Sequence, residues 1–595
     1  MLLAAGCSPA TLRAAPAAVP ARPAAVATTP APVRSVSTAT ASATSVASDL
    51  RARLDAYIAQ PRFAQARWGI DVIDLADGHT LYAHAADKLF VPASNAKLFT
   101  AALALDTLGS DHRFTTTLAA SARPDARGVL RGDLLLIGGG DPTLGSDSAG
   151  ATSGDWAATF AAALAARGVT RITGDLIADA TRYAGPPFGA GWEAADLQSD
   201  FAPPVSALSV RDNVMQVQIA RRDGRCCRVE VEPAAAGVSV VNRSVDRTPG
   251  DDASLGLYRP PGRATLYVTG SLPAGIDTRR YVLSQPDPAA TAGRLLRDAI
   301  EREGIAFDGE VRTLHWPQTD GALADPRRLV LAQVESPPLA AIVRHTLKHS
   351  DNLYAQQLLL QVGVAAARRG VCADRSEPPH STQGWGLCAL RAFLVRVGIP
   401  PGEAGFEEGS GLSRKDLVSP RAFTTLLAWA RRQAWAGALL DALPQAGVDG
   451  TLADRFRDLP AGADLRAKTG TLAHIYTLSG YLTDAAGTPL AFSLMLNNEQ
   501  RTLDAQGRPL PPSPAADLDA VARMLAEFGS DDRSGQGALV RRAGIHRMRR
   551  RRRQAGQAHL VPAGGQAQAR RGRGVLVDRL RLARAARPRQ QEGDG

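Results

Sequence analysis

The sequence of 595 residues predicts an α/β fold of the α+β kind, an antiparallel sheet flanked by helices and joined to a long β-rich section. Three observations carry this. Apolar residues recur at helical spacing near both ends of the folded part, beside strand-like runs bounded by turn residues. Residues 115–320 are mostly short strand-like pieces broken by Gly, Pro and Asp. Hydrophobic residues make up 45% and charged residues 21%, a globular composition. No apolar run reaches the roughly 18 residues of a membrane-spanning helix.

The elements follow in order. Ser48-Asp49 forms a helix cap, after which Leu50, Leu54, Tyr57 and Ile58 keep helical spacing. Segments 68–75 and 79–83 flank Asp77-Gly78, a strong hairpin signal. Residues 95–108 are apolar on most sides and end at Gly109, which predicts a buried helix with a glycine stop. One helix is expected at 153–167, from Trp156, Phe160 and Leu164. Helical patterns return at 338–348 and 351–367. Segments 465–471, 475–482 and 489–496 read as successive antiparallel strands, and 515–528 as a closing helix.

The net charge of +11 belongs to the chain ends. Residues 531–595 hold 17 Arg against 5 acidic residues, and 8–48 hold 3 Arg and no acid. The remainder, 49–530, is slightly acidic, which excludes a basic nucleic-acid-binding body. Residues 8–48 are rich in Ala, Pro, Ser and Thr, lack aromatic residues, and read as an extended tether. The Arg-rich end, 531–595, reads as a disordered tail dispensable for catalysis. There are 64 Arg and only 5 Lys: Lys88, Lys97, Lys348, Lys415 and Lys468. Arg replaces Lys wherever a surface charge suffices, but not where a compact, deprotonatable amine is required.

Three motifs stand in order: Ser94-Asn95-Ala96-Lys97, Ser350-Asp351-Asn352 and Lys468-Thr469-Gly470, the last followed by Thr471. One helical turn places Lys97 on the face of Ser94. A serine hydroxyl becomes a useful nucleophile when a base lies within hydrogen-bond reach, and a helix N-terminus favours negative charge developing beside it. Lys468 lies on a strand whose alternation points it and Gly470 to one side. It is expected to be cationic, a carboxylate anchor whose charge favours a neutral Lys97. Ser350-Asp351-Asn352 falls between two helices.

Together the three motifs resemble the signature of penicillin-binding proteins and serine β-lactamases. The flanks narrow this to the low-molecular-mass class C penicillin-binding proteins, the D-Ala-D-Ala carboxypeptidase/endopeptidases. Lys348-His349-Ser350-Asp351-Asn352-Leu353 and Gly409-Ser410-Gly411-Leu412-Ser413-Arg414 look like segments of that family, as do Gly139–Leu144 and Ala207–Ser209. Glu408 stands where the family usually has Asp, and Gln356 where a Glu often follows the second motif.

The resemblance covers about residues 49–529 and implies a serine β-lactamase/DD-peptidase-like catalytic domain in two parts, 49–118 and 321–530, with accessory domains inserted at 119–320. It implies an acyl-enzyme on Ser94, with Lys97 as base. Ser350 then relays a proton, Asn352 holds the substrate amide, and Lys468 with Thr469 grips the terminal carboxylate. Backbone N–H groups of Ser94 and Thr471 stabilise the oxyanion, and Gly470 lines the cleft. Asp196, in Gly191–Asp196, resembles an acidic residue that selects a diamino acid in the stem peptide; Glu193 and Asp200 are nearby competitors. Expected partners are peptidoglycan stem peptides and β-lactams, with no nucleic acid, no cofactor and no metal.

Leu3–Cys7, within residues 1–7, resembles the end of a bacterial lipoprotein signal, which implies lipidation of Cys7, a membrane anchor and a periplasmic enzyme. Of the other cysteines, Cys372 and Cys388 are expected to pair across a short Pro-containing loop, whereas neighbours such as Cys226 and Cys227 are not. Two other readings share these motifs or this fold: a serine β-lactamase or esterase, and a non-catalytic wall-binding scaffold.

Overall fold

The computed structural model describes residues 39–146, 155–246, 254–372, 379–500, 504 and 511–528. Cys7, the tether up to residue 38 and the tail 531–595 lie outside the described residues. The chain divides into two compact units, 1–46 and 47–595. Of the first, only the helical backbone from Ala39 is described.

Strands from opposite ends of the second unit build one antiparallel sheet. They are β1 (Arg67–Asp74), β2 (Thr80–His84), β3 (Asp464–Leu472), β4 (Ile475–Thr483) and β5 (Pro489–Asn497), in the order β3-β4-β5-β1-β2. The joint is the pairing of β1 with β5, in which Ile70 faces Leu494. The labelled helices are α1 (Ala39–Ile58), α2 (Lys97–Leu108), α3 (Leu339–His349), α4 (Asn352–Arg368), α5 (Thr382–Val397), α6 (Pro420–Ala430) and α7 (Pro514–Ala526).

Alternation along the strands sends two sets of side chains to opposite faces. Ile70, Val72, Leu478 and Leu494 meet Leu54 of α1 and Leu518 and Val521 of α7 in one core. Met495 joins Phe99, Leu103, Val343, Tyr354 and Phe423 of the helical layer in another. Large side chains such as Phe99 and Phe423 are fully buried, and truncating one to Ala would cost about 3–5 kcal/mol.

Between the two halves of this sheet lies a second five-stranded sheet. Its order is Val311–Leu314, Leu176–Asp179, Leu134–Ile137, Thr115–Ala120 and Leu329–Glu335, with the first three strands mutually parallel. Helices Trp156–Ala165 and Pro288–Arg302 share its core. Two three-stranded sheets follow within residues 214–284 around Met215, Val217, Leu266 and Val268.

Three expectations need correction. The segment 115–320 holds a second long helix, Pro288–Arg302, whose signals were legible: Asp287 caps Ala290 N at 3.0 Å, Pro288 starts the first turn, and Leu296, Ala299 and Ile300 face inward. Helix α1 starts at Ala39, before the expected cap at Ser48-Asp49. Residues 39–48 contain neither Pro nor Gly, so nothing in the chain stops the helix from extending backwards. The cysteines also differ in part. Cys372 and Cys388 are joined, with Cα atoms 6.6 Å apart. Contrary to expectation, Cys226 and Cys227 are joined as well. They lie on the second strand of the hairpin Val214–Arg222/Arg225–Glu232, while Cys372 and Cys388 are used by each other.

Candidate active site

Ser94 does not begin an α-helix. It sits in the 3-10 turn Ala93–Ala96, which runs straight into α2 at Lys97. The tighter turn still stacks position 97 over 94, and Lys97 Nζ donates to Ser94 Oγ at 2.9 Å. Lys97 is completely buried, and its other two donors go to Asn352 Oδ1 at 2.5 Å and the Ser410 carbonyl at 2.7 Å. Burial pushes its ammonium down to about 8, against the opposing pull of Glu408, Asp351 and Asp416.

The second motif occupies the joint between α3 and α4. Ser350 ends α3 in the left-handed region, with φ 61°, and Asp351 caps α4 by accepting from Tyr354 N at 3.0 Å. This places Asn352 in the first turn of α4. The Asn352 carboxamide is used at both ends, because Nδ2 donates to the Phe201 carbonyl at 2.8 Å. That contact comes from the segment between the two halves of the main sheet. The same segment meets α4 again where Gln357 Nε2 donates to the Ser206 carbonyl at 2.9 Å and Tyr354 OH to Asp212 Oδ1 at 3.1 Å.

The third motif lies on the edge strand β3. Alternation turns Lys468 and Gly470 to the face that meets the Ser94 turn. Lys468 Nζ donates to Ser350 Oγ at 2.9 Å and to the Thr469 carbonyl at 2.7 Å. Lys468 was expected to be cationic. It is instead fully buried, no described carboxylate pairs with it, and burial together with Lys97 drives its ammonium well below the ordinary lysine value. Gly470 is fixed by close approach: a Cβ there would lie 2.2 Å from Thr477 Oγ1 and 2.8 Å from the Pro92 carbonyl. Thr469 Oγ1 donates to Thr451 Oγ1 at 2.8 Å, and Thr471 is exposed.

The structure therefore brings together Ser94, Lys97, Ser350, Asn352 and Lys468. Sequence reasoning passed over Asn95, which is fully buried between the two catalytic-motif residues. Its amide nitrogen donates to the Lys468 carbonyl at 2.7 Å and its oxygen accepts from Ser479 Oγ at 2.7 Å, tying the Ser94 turn to β3. The lysine-accepting Ser410 carbonyl was also missed, because a backbone group leaves no residue-type signal. Asp196 is half-buried, and its carboxyl is raised by burial and by Glu193 while Arg414 opposes the rise. The ion pair with Arg414 is made by Glu193, at 3.1 Å. Arg414 also donates to the Ala473 carbonyl beyond β3, at 3.2 Å.

This constellation has relatives. Residues 50–529 match the D-Ala-D-Ala carboxypeptidase 3 (S13) family. The chain belongs to that family. It is 33% identical over 511 residues to a D-alanyl-D-alanine carboxypeptidase of Actinomadura sp., covering 84% of this chain and 88% of that one. It is 28% identical over 411 residues to the D-alanyl-D-alanine carboxypeptidase DacB of Haemophilus influenzae, covering 68% and 80%. The crystal structure of penicillin-binding protein 4 from H. influenzae superposes with a TM-score of 0.66 at 25% identity, covering 80% of this chain and 98% of that one. The fold is thus the DD-peptidase type, and the protein is a serine-type D-Ala-D-Ala carboxypeptidase of the penicillin-binding class.

Proposed function

We propose that Ser94 is the nucleophile and Lys97 its general base, acting on the D-Ala-D-Ala ends of peptidoglycan stem peptides. The observation that carries this is the 2.9 Å contact between Ser94 Oγ and a buried lysine whose ammonium is pushed down to about 8. A base with such a value is neutral often enough at working pH to take the hydroxyl proton. Ser94 Oγ then bonds to the carbonyl carbon, and the N–H groups of Ser94 and Thr471 face the oxyanion. The C–N bond breaks, with the proton reaching the departing amine through Ser350, which lies on Lys468. Water hydrolyses the acyl-enzyme and restores Ser94.

Asn352 acts first on Lys97, because its carboxamide oxygen receives the ammonium and its nitrogen is held by Phe201. Lys468 and Thr469 receive the terminal carboxylate. A carboxylate beside Lys468 supplies the negative charge that keeps the ammonium protonated, so substrate and proton bind there together. Asp196, beside Arg414 and Glu193, meets the diamino acid of the stem peptide. The catalytic domain surrounds accessory domains that reach past the expected 119–320, because Thr115–Ala120 and Leu329–Glu335 pair within the inserted sheet; the catalytic parts are then residues from 49 to about 114 and from about 336 to 530. The enzyme works in the periplasm, held to a membrane through a lipid on Cys7.

Mass spectrometry of the protein treated with benzylpenicillin tests the core of this reading. A single adduct is expected on the peptide containing Ser94, with neither adduct nor D-Ala release from a pentapeptide in Ser94→Ala. An adduct on another serine overturns the assignment.

A further inference from the structure

A second buried layer lies behind the Lys97 ammonium. The loop Gly409-Ser410-Gly411 crosses beneath the start of α2. Its Ser410 carbonyl accepts from Lys97 Nζ, and its Gly409 carbonyl accepts from Thr100 Oγ1 at 2.7 Å. Gly409 N in turn donates to Gln356 Oε1 of α4 at 2.8 Å. Gly411 has φ +78°, and a Cβ there would lie 2.0 Å from the Ala93 carbonyl, so this loop sits hard against the Ser94 turn.

Glu408 holds the loop in place. It is fully buried, and its carboxylate accepts from the N–H groups of Ser410 at 2.6 Å, Gly411 at 2.5 Å and Leu412 at 2.9 Å. Ser413 N adds a longer contact at 3.4 Å, and all four partners are donors, a set that suits an ionised carboxylate. No lysine or arginine among the described residues pairs directly with it. Asp416 is also fully buried; its Oδ1 accepts from Glu407 N at 2.7 Å, and its Oδ2 has no partner. Burial, reinforced by the Glu408 charge, raises its carboxyl well above the ordinary value.

We propose that Glu408 is a positioning residue for acylation: its carboxylate fixes the Ser410 carbonyl on Lys97 and sets a negative charge one peptide unit behind the ammonium. This deepens the reading of Lys97 as general base and rests on it. Burial drives Lys97 towards a weakly basic amine. The Glu408 charge opposes this and keeps Lys97 strong enough to take the Ser94 proton. The other charged or titratable groups around this layer are Asp351 at the start of α4, Glu407 and Asp416 in the loop before α6, and Lys468 on β3.

The test is the pH dependence of benzylpenicillin acylation in the full chain, for wild type, E408Q, E408D and D416N. Wild-type acylation should fall on the acid side of about 8. In E408Q the acid limb should move to lower pH by about one unit, the low end for loss of an opposite charge nearby, while the plateau rate drops. E408D keeps the charge, so its limb should stay in place whatever its plateau. D416N should move the limb less than E408Q does, since Asp416 ranks behind Glu408 among the charges that act on Lys97. An E408Q limb that does not move, or an E408D or D416N limb that moves as far as that of E408Q, overturns the proposal. If E408Q does not fold, E408A removes the same charge and its limb is read in place of that of E408Q. Wild type that fails to acylate at any pH would instead refute the assignment of Ser94 and Lys97.

Discussion

Gly470→Ala is a one-carbon change with a calculable consequence. The new methyl would sit 2.2 Å from Thr477 Oγ1, 2.8 Å from the Pro92 carbonyl and 3.1 Å from Asn95 N. Two of these three atoms are backbone of the segment that carries Ser94, and the third donates a hydrogen bond to Pro92 at 2.8 Å. None is the free end of a flexible chain. Restoring ordinary contact requires β3 and the Ser94 turn to part by about 1 Å, and a displacement of that size at reacting groups costs on the order of 100-fold in rate. Overpacking of this kind costs about 1–3 kcal/mol of stability.

The assay is the second-order rate of acylation by a fluorescent penicillin at fixed pH, read beside urea unfolding. Acylation should fall at least tenfold more than lost folded protein explains. Adding Thr477→Ala removes the worst contact but leaves the Pro92 carbonyl crowded and with the Asn95 N–H, at 3.2 Å, as its remaining donor, so G470A/T477A should recover most of the stability and little of the rate. Wild-type acylation by G470A would refute the claim that the gap between β3 and the Ser94 turn is fixed by the missing side chain.

Three further outcomes follow from the same geometry. Because burial depresses Lys97 from 10.5 to about 8, the unfolded chain binds more protons between those values, so the Lys97 contribution to stability should rise with pH across that window; Lys97→Arg should abolish acylation throughout, since Arg keeps its proton. Cys388→Ser opens a bridge with a sequence separation of 16 and should destabilise the fold by about 3 kcal/mol in the chain-entropy model, read as a lower urea midpoint with little change in acylation. Asp196→Asn should raise KM for peptides bearing a free diamino-acid ammonium while leaving penicillin acylation unchanged; equal losses on both substrates would give Asp196 a folding role instead.

What was legible in the sequence was what repeats or punctuates. The hairpin at Asp77-Gly78, the glycine stop at Gly109, the three closing strands and the joint at Ser350 all carry turn or cap chemistry that acts locally. The pairing of β1 with β5 carries none, since Ile70 and Leu494 are apolar partners far apart in the chain whose register only the assembled core selects. In the site, side chains with distinctive chemistry were found and backbone partners were not. Asn95 stood inside the first motif but looked like a spacer. The Phe201 and Ser410 carbonyls that complete the coordination of Asn352 and Lys97 belong to residues whose side chains announce nothing. The state of Lys468 was not legible for a related reason: strand alternation gives the side it points to, whereas its complete burial comes from tertiary packing.

The lysine bias acquires a physical meaning once burial is known. Among the described residues, Lys97, Lys348 and Lys468 are buried, whereas Arg259 is the one buried arginine. Each buried lysine has a partner set shaped to a compact three-donor head. Lys97 meets Ser94, Asn352 and Ser410; Lys468 meets Ser350 and the Thr469 carbonyl; Lys348 meets the Leu443 carbonyl at 2.6 Å and both oxygens of Asp449 at 2.6 and 2.7 Å. A guanidinium brings five donors in a rigid plane and would leave several unsatisfied in any of these sites. Lys348 takes no part in the chemistry, yet Asp449 directly precedes the Gly450–Leu452 turn, whose Thr451 hydroxyl accepts from Thr469 of the third motif. In a chain that writes nearly every other cation as arginine, three of the five lysines stand where the pocket suits an ammonium, whereas Lys88 and Lys415 are exposed and have no such reason. Burial of this kind, rather than catalysis alone, accounts for retention, so Lys348→Arg should disturb the 443–452 loop and weaken grip on the substrate carboxylate while leaving the Ser94–Lys97 contact intact. The expected readout is a higher KM for D-Ala-D-Ala peptides at a nearly unchanged acylation plateau. An unaltered KM would mean that the pocket around Lys348 tolerates the larger cation and that the bias there has no structural cause.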